Sequence, residues 1–126
     1  MRILVFGAGA VGSVLGGLLA RAGHAVTLLC RAGHLDAIRE HGLTIEGIWG
    51  DHRVSGMETV SSPANLAGHP FDLVLLTVKA YDTRAAIESI RRLDHPGLVL
   101  VSVQNGYGNT QALEAAFGQG RVFGAR

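Results

Sequence analysis

The chain has 126 residues, which is enough for one domain with a substantial hydrophobic core. Hydrophobic residues make up 48% and charged residues 17%, and the formal net charge of +1 argues against general attraction to nucleic acid or a membrane surface. The single cysteine, Cys30, excludes an internal disulfide, and no uncharged stretch of about 18 apolar residues indicates a membrane span. No signal-peptide pattern precedes the first predicted strand, so we expect a cytoplasmic protein.

The first predicted strand, Arg2–Phe6, runs directly into a glycine-rich turn and then a helix. The turn consists of Gly7, Ala8, Gly9, Ala10, Val11 and Gly12. This order is the fingerprint of dinucleotide-binding folds: the first glycine makes the turn, the second lets the backbone approach a pyrophosphate, and the third permits close helix packing. The helix start also directs N–H groups and a positive dipole end at phosphates. We therefore predict that residues 7–12 bind a dinucleotide.

The second predicted strand, Ala25–Leu29, ends next to an arginine. In a NAD-specific site, an acidic residue about 20 positions beyond the glycines binds the ribose 2′-hydroxyl. Here Arg31 occupies that neighbourhood, and no acid follows until Asp36. A guanidinium can bind a 2′-phosphate through charge-assisted hydrogen bonds. The position favours NADP(H) over NAD(H), and the alternative is a solvated arginine that opens a helix.

The rest of the chain alternates predicted strands with predicted helices. In order these are a helix to about residue 40, an antiparallel excursion over residues 43–60, one helical turn over 61–66, a strand over 71–77, an amphipathic helix over 83–93, a strand over 98–103, a helix over 109–117 capped by Asn109 or Thr110, and a strand from Arg121. This alternation predicts an α/β fold, with a doubly wound, mostly parallel sheet of the Rossmann type. We assign residues 1–126 to this single domain.

Two further polar side chains follow predicted buried strands. Ligands of doubly wound sheets bind beyond the carboxyl ends of the strands, where Lys79 and Asn105 are expected to lie. A lysine there can place a point charge near a phosphate or ribose. An asparagine can donate and accept hydrogen bonds with a carboxamide, a ribose hydroxyl or a substrate carbonyl. The pair Asn105–Gly106 is also a favoured turn sequence, and both interpretations of Asn105 stay open at this point.

The sequence predicts neither a metal site nor a catalytic residue. The six histidines are dispersed without paired ligand spacing. Asp82 and Glu88 are interpreted as a helix-entry acid and a solvated charge rather than a catalytic pair.

Taken together, these motifs resemble the N-terminal domain of the ketopantoate reductase (2-dehydropantoate 2-reductase) family. The matching pieces are the turn at residues 7–12, Arg31 after the second strand, the Val-Lys-Ala-Tyr-Asp-Thr run at residues 78–83, and the Gln-Asn-Gly-Tyr-Gly run at residues 104–108. The resemblance covers essentially the whole chain. It implies NADPH-dependent reduction of 2-dehydropantoate to pantoate in pantothenate biosynthesis. It also implies that Arg31 holds the 2′-phosphate, that Lys79 acts on the adenosine side, and that Asn105 lies at the nicotinamide end.

The resemblance further implies a second, helical domain, which supplies a proton-donating lysine and a substrate-binding glutamate. We expect the chain to be the cofactor-binding domain, inactive by itself toward the small 2-oxo acid substrate. We also expect self-association through the face that the absent domain would cover. Two alternatives remain: a non-catalytic NADP(H)-binding module, and a related reductase that acts on another 2-oxo acid.

Overall fold

The computed structural model describes residues 1–125, which form eight strands and four α-helices joined by short loops and 3₁₀ turns. The strands are β1 (Arg2–Phe6), β2 (Ala25–Leu29), β3 (Leu43–Ile45), β4 (His52–Val54), β5 (Glu58–Val60), β6 (Leu73–Leu76), β7 (Val99–Ser102) and β8 (Val122–Gly124). The helices are α1 (Ala10–Arg21), α2 (Ala32–His41), α3 (Thr83–Ile90) and α4 (Asn109–Phe117). Among these residues, no helix combines the length and apolar character needed to cross a membrane.

Six of the strands form one parallel sheet in the order β5-β2-β1-β6-β7-β8. The strand order reverses direction between β1 and β6, which is the switch point of a doubly wound fold and the place where such sheets bind ligands. The predicted Rossmann-type α/β fold is therefore confirmed.

Successive residues of β1 face opposite sides of this sheet. Ile3 and Val5 pack in a layer that includes residues of α1 and α2, whereas Leu4 and Phe6 pack in a layer that includes α3 and α4. All four side chains are buried. A strand that is covered on both faces needs apolar residues at every position, which explains the uninterrupted apolar runs in the sequence.

The predicted antiparallel excursion is confirmed but is shorter than residues 43–60. β3 and β4 pair antiparallel, with Leu43 opposite Val54, and form a separate two-stranded sheet. Glu58–Val60 instead joins the main sheet as β5, parallel to β2. The Thr27 hydroxyl on β2 donates to Glu58 Oε2 at 2.7 Å, so a cross-strand contact supports this edge strand.

The prediction that Asn109 or Thr110 caps α4 is wrong. Gly108, in the left-handed region with φ +86°, precedes the helix, and no side chain there caps it by a hydrogen bond. The Asn109 side chain points inward instead, where its Oδ1 accepts a hydrogen bond from the Thr83 hydroxyl at 3.0 Å. A tertiary partner has replaced the local cap that the sequence suggested.

Candidate functional site

The sheet register brings the predicted site residues to one edge. Phe6 pairs with Leu29 and with Leu76, and Leu76 pairs with Ser102, so these four strands end level with one another. The segments that follow them are residues 7–9, 30–31, 77–79 and 103–105, and together they form what we call the carboxyl edge. Every residue predicted to bind a ligand lies on this edge or in the first turn of α1.

The glycine turn folds back onto the end of β2. The N–H groups of Gly7 and Ala8 donate to Leu29 O at 3.2 and 2.8 Å. Gly7 has φ +103°, and a Cβ added to it would lie 2.5 Å from Val78 Cγ1. Both the backbone conformation and the lack of space therefore require glycine at this position.

The three glycines of the turn are under different constraints. A Cβ on Gly12 would lie 2.7 Å from both Gly7 O and Thr77 Oγ1, because α1 packs tightly against the strand ends. A Cβ on Gly9 would meet no atom within 4 Å. Gly9 also has an ordinary φ of −79°. Nothing within the described chain thus requires glycine at position 9, which faces open space.

Helix α1 begins directly behind this open space. Gly9 precedes the helix, and its carbonyl accepts the first intrahelical hydrogen bond, from Ser13 N–H at 2.9 Å. The N–H groups of Ala10, Val11 and Gly12 precede that bond and have no acceptor within the helix. Ala10 and Val11 are exposed. The helix start therefore offers N–H donors without an intrahelical acceptor, together with the positive end of the helix dipole, an arrangement that favours an anion.

Thr77 fixes the turn from across the switch point. Its hydroxyl donates to Gly7 O at 2.6 Å and lies 3.3 Å from Phe6 O. Sequence reasoning missed this contact, because the two partners lie 70 residues apart and no local pattern connects them. A polar residue directly after a fully apolar strand is the signal that could have drawn attention to it.

Arg31 stands at the end of β2 as the residue that precedes α2, and it is exposed. Within residues 1–125 its guanidinium has no hydrogen-bond or ion-pair partner. Arg39, by contrast, uses its guanidinium within the fold, where it donates to Thr59 Oγ1 at 2.8 Å and to Thr59 O at 2.7 Å. Arg31 is thus a cation whose charge the described protein does not use for its own structure.

The first turn of α2 is tied to the glycine turn through a histidine. His34 Nε2 lies 3.0 Å from Ser13 Oγ, and that hydroxyl is 3.3 Å from Ala8 O. This contact, which the sequence did not reveal, links the segment that carries Arg31 to the start of α1. Cys30, which directly precedes Arg31, is buried. Burial raises the pKa of its thiol, although the charge of Arg39 acts in the opposite direction. A buried thiol with a raised pKa is a poor nucleophile.

Lys79 and Asn105 lie on the two loops at the other end of the edge, and both residues are exposed. Lys79 directly follows Val78, and Asn105 follows the buried Gln104. The Lys79 ammonium and the Asn105 side-chain amide have no partner within residues 1–125. Both groups are therefore available to a ligand that lies along this edge.

A chain of hydrogen bonds connects these two loops beneath the surface. Gln104 Nε2 donates to Val78 O at 2.9 Å and to Thr83 Oγ1 at 2.8 Å, and Thr83 Oγ1 donates to Asn109 Oδ1. Asn109 Nδ2 then donates to Asn105 O at 3.1 Å, while Ser102 Oγ donates to Gln104 Oε1 at 3.0 Å. We call this set the loop network. Gln104 and Thr83 belong to the family-like runs at residues 104–108 and 78–83, but no local pattern predicts that they bond to each other.

Across residues 1–125 no three His, Cys, Asp or Glu side chains come together in a way that could hold a metal ion. Two of the histidines contact backbone carbonyls instead, with His52 Nε2 2.6 Å from Trp49 O and His95 Nε2 2.7 Å from Phe71 O. The groups available to a ligand at the carboxyl edge are consequently the backbone N–H donors at the start of α1, the side-chain cations of Arg31 and Lys79, and the side-chain amide of Asn105.

Comparison with known proteins gives consistent matches. The model of the family described as ketopantoate reductase PanE/ApbA matches residues 3–126. A 2-dehydropantoate 2-reductase from Pyrococcus horikoshii is 42% identical over 113 residues, which are 90% of this chain and 36% of that protein. The crystal structure of 2-dehydropantoate 2-reductase from Geobacter metallireducens superposes with a TM-score of 0.87 at 36% identity, and the match covers 98% of this chain and 40% of that one.

A further structural neighbour is D-mandelate dehydrogenase, solved as a ternary complex with NADH and anilino(oxo)acetate. It has a TM-score of 0.82 and 25% identity, over 98% of this chain and 40% of that one. The chain therefore spans well under half the length of each of these relatives, between 36% and 40%.

Proposed function

Because the chain belongs to the ketopantoate reductase family PanE/ApbA, we propose that it is the NADPH-binding domain of a 2-dehydropantoate 2-reductase. In this reaction a hydride from NADPH adds to the C2 carbonyl carbon of the 2-oxo acid, and a proton adds to the oxygen to give pantoate. The observation that carries the proposal is the combination, on one edge of the sheet, of an open glycine turn and an unpaired arginine.

The glycine turn suits a pyrophosphate. Position 9 has room where a side chain would otherwise project, and α1 begins at the next residue, with N–H groups that have no acceptor within the helix. A dinucleotide bound there would lie across the switch point between β1 and β6, in the general position for doubly wound sheets. We assign residues 7–12 to the pyrophosphate.

Arg31 distinguishes the two nicotinamide cofactors. The residues that directly follow β2 are Cys30 and Arg31, and no carboxylate stands there to bind a 2′-hydroxyl or to repel a 2′-phosphate. Because the guanidinium is exposed and has no partner in the described chain, it can pair with a phosphate without breaking an existing contact. We propose that Arg31 binds the 2′-phosphate of NADPH, Lys79 the adenosine side, and Asn105 the nicotinamide end beside the substrate.

A second candidate function follows from the structural neighbour that holds NADH. D-mandelate dehydrogenase has the same fold over almost all of this chain, so the fold itself accommodates the cofactor without a 2′-phosphate. The alternative is therefore a reductase for another 2-oxo acid, with less preference for NADPH. The charge at position 31 favours the first candidate.

Calorimetric titration of the 126-residue chain with NADPH and with NADH tests the assignment. We expect tighter binding of NADPH, and Arg31→Ala should remove most of the difference, a factor of roughly ten to a hundred for a charge-assisted contact. Arg92→Ala is the matched control, because Arg92 is an exposed arginine beyond the far end of α3. Equal affinities of the unmodified chain for the two cofactors would contradict the NADPH assignment and favour the second candidate.

A further inference from the structure

The loop network ends in hydrogen bonds to the backbone beside Lys79 and of Asn105, the two residues proposed to contact the ligand from these loops. Gln104 holds Val78 O, the carbonyl of the peptide bond that leads into Lys79. Asn109 holds the carbonyl of Asn105 itself. The hydrogen bonds between them run without interruption through Thr83, so the network joins the peptide units of Lys79 and Asn105.

The side chains of the network are buried, whereas the two residues that it holds are exposed. Thr83, Gln104, Asn109 and Ser102 are between 2% and 8% exposed. In such surroundings an amide or hydroxyl that loses its partner incurs its full desolvation cost, which disfavours other arrangements of the same groups. Apolar side chains of similar shape could fill this volume at little cost in stability. A fully paired polar set adds directionality, which apolar packing lacks.

We propose that Thr83, Gln104 and Asn109 are positioning residues, which set the spacing between Lys79 and Asn105 so that both can contact one extended dinucleotide. This inference rests on the proposed NADPH-binding function. When a ligand contacts two loops, the second contact adds its full share of binding free energy only if both loops are already correctly placed. Loss of the network should therefore weaken NADPH binding without removing any group that touches the cofactor.

The first test compares two substitutions of one residue. Thr83→Val keeps the shape and removes the hydroxyl, and we expect it to weaken NADPH binding by about tenfold. Thr83→Ser keeps the hydroxyl and should bind with nearly the original affinity. Ile90→Val controls for general destabilisation, because it removes a methyl group from a fully buried residue at the other end of α3. Gln104→Met provides a second network variant should Thr83→Val fail to fold.

The second test separates positioning from a purely structural role. In a Lys79→Met background, Thr83→Val should have a much smaller effect on NADPH affinity, because the contact that it misplaces is already lost. In an Arg31→Met background the effect should remain close to tenfold, since Arg31 follows a different strand. If Thr83→Val lowers the stability of the chain yet binds NADPH normally, the inference is overturned but the proposed function is not. The same holds if Thr83→Val weakens NADPH binding equally in the Lys79→Met and Arg31→Met backgrounds. Failure of the unmodified chain to bind any dinucleotide would overturn the proposed function and this inference with it.

Discussion

At the scale of single residues, the glycines of the turn illustrate three separate uses of a missing side chain. Gly7 is required by its positive φ and by Val78, and Gly12 by the proximity of Thr77 and of the turn itself. Gly9 alone is free of such protein contacts. Sequence reasoning assigned these same roles from the motif, and the described contacts agree with it for the turn and for helix packing. The pyrophosphate role of Gly9 stays a prediction.

Gly9→Val tests that role directly. The variant should fold, because the space beside residue 9 is open and its φ of −79° is negative, as residues with a side chain prefer. The loss of stability should not exceed about 1 kcal/mol, the order of an unfavourable substitution before a helix. NADPH binding should be abolished, because the valine side chain would occupy the proposed pyrophosphate position. Circular dichroism and calorimetric titration measure the two effects.

The matched control for this variant is Gly120→Val. Gly120 also has open space around it and no positive φ, and it lies in the 3₁₀ turn before β8, at the opposite end of that strand from the carboxyl edge. It should bind NADPH as the unmodified chain does. A folded Gly9→Val variant with normal NADPH binding would show that the dinucleotide does not pass over the glycine turn.

At the scale of elements, close packing of α1 is set by its small residues. Besides Gly12, a Cβ on Gly16 would lie 2.6 Å from Leu28 Cδ2, and a Cβ on Gly17 would lie 2.7 Å from Ile45 Cδ1. Helix α1 thus approaches both the main sheet and the β3–β4 pair more closely than larger side chains would permit. The run of small and apolar residues in this segment had predicted a buried helix, and the structure confirms it.

Two helical glycines should respond to alanine with opposite signs. Gly12→Ala should lower the free energy of unfolding by about 1–3 kcal/mol, because the new methyl group would overlap Gly7 O and Thr77 Oγ1. Gly33→Ala should raise it by about 0.5–1 kcal/mol, because Gly33 lies in α2 with open space around it and alanine is the better helix former. Urea unfolding monitored by circular dichroism measures both changes. A neutral Gly12→Ala would contradict the close approach of α1 to the strand ends.

The elements that sequence reasoning predicted well are those whose signal is local. Buried strands such as β1 and β2 are short, mostly apolar runs bounded by turn residues, and the amphipathic helix α3 carries helical periodicity. Two predictions from the sequence were wrong, the side-chain cap of α4 and the extension of the antiparallel excursion to β5. Both depend on partners that are distant in the chain. Whether Asn109 caps its own helix or bonds to Thr83 depends on where the fold places Thr83, which lies 26 positions earlier in the chain. Likewise, β5 is identified as a sheet strand by its pairing with β2 rather than by its composition.

At the scale of the whole molecule, the described residues cover both faces of the sheet and leave its carboxyl edge open. The helices and the apolar layers on either side account for the fold, while Arg31, Lys79 and Asn105 remain exposed without partners in the described chain. The position of this edge could be predicted from the alternation of strands and helices alone. The loop network could not, because it is formed by side chains from three separate segments.

The last prediction concerns catalysis by the 126-residue chain as such. We expect it to bind NADPH yet to reduce 2-dehydropantoate at least about a hundredfold more slowly than a full-length relative, because general acid catalysis typically supplies a factor of about 10²–10⁴. The free cations described on the carboxyl edge, Arg31 and Lys79, are both proposed to hold the cofactor, and the substrate would lack positioning contacts as well. The loss of NADPH absorbance measures the rate.

The Pyrococcus horikoshii 2-dehydropantoate 2-reductase, of which this chain covers 36%, is the positive control in the same assay. A rate within about tenfold of the control would mean that a group within the 126 residues protonates the developing alkoxide. Lys79→Met would then identify that group, since the variant should lose turnover far more than NADPH affinity if the ammonium were the proton donor, but affinity foremost if it holds the adenosine side. The ratio of the two effects therefore distinguishes a complete catalytic unit from a domain that binds the cofactor for chemistry performed with other residues.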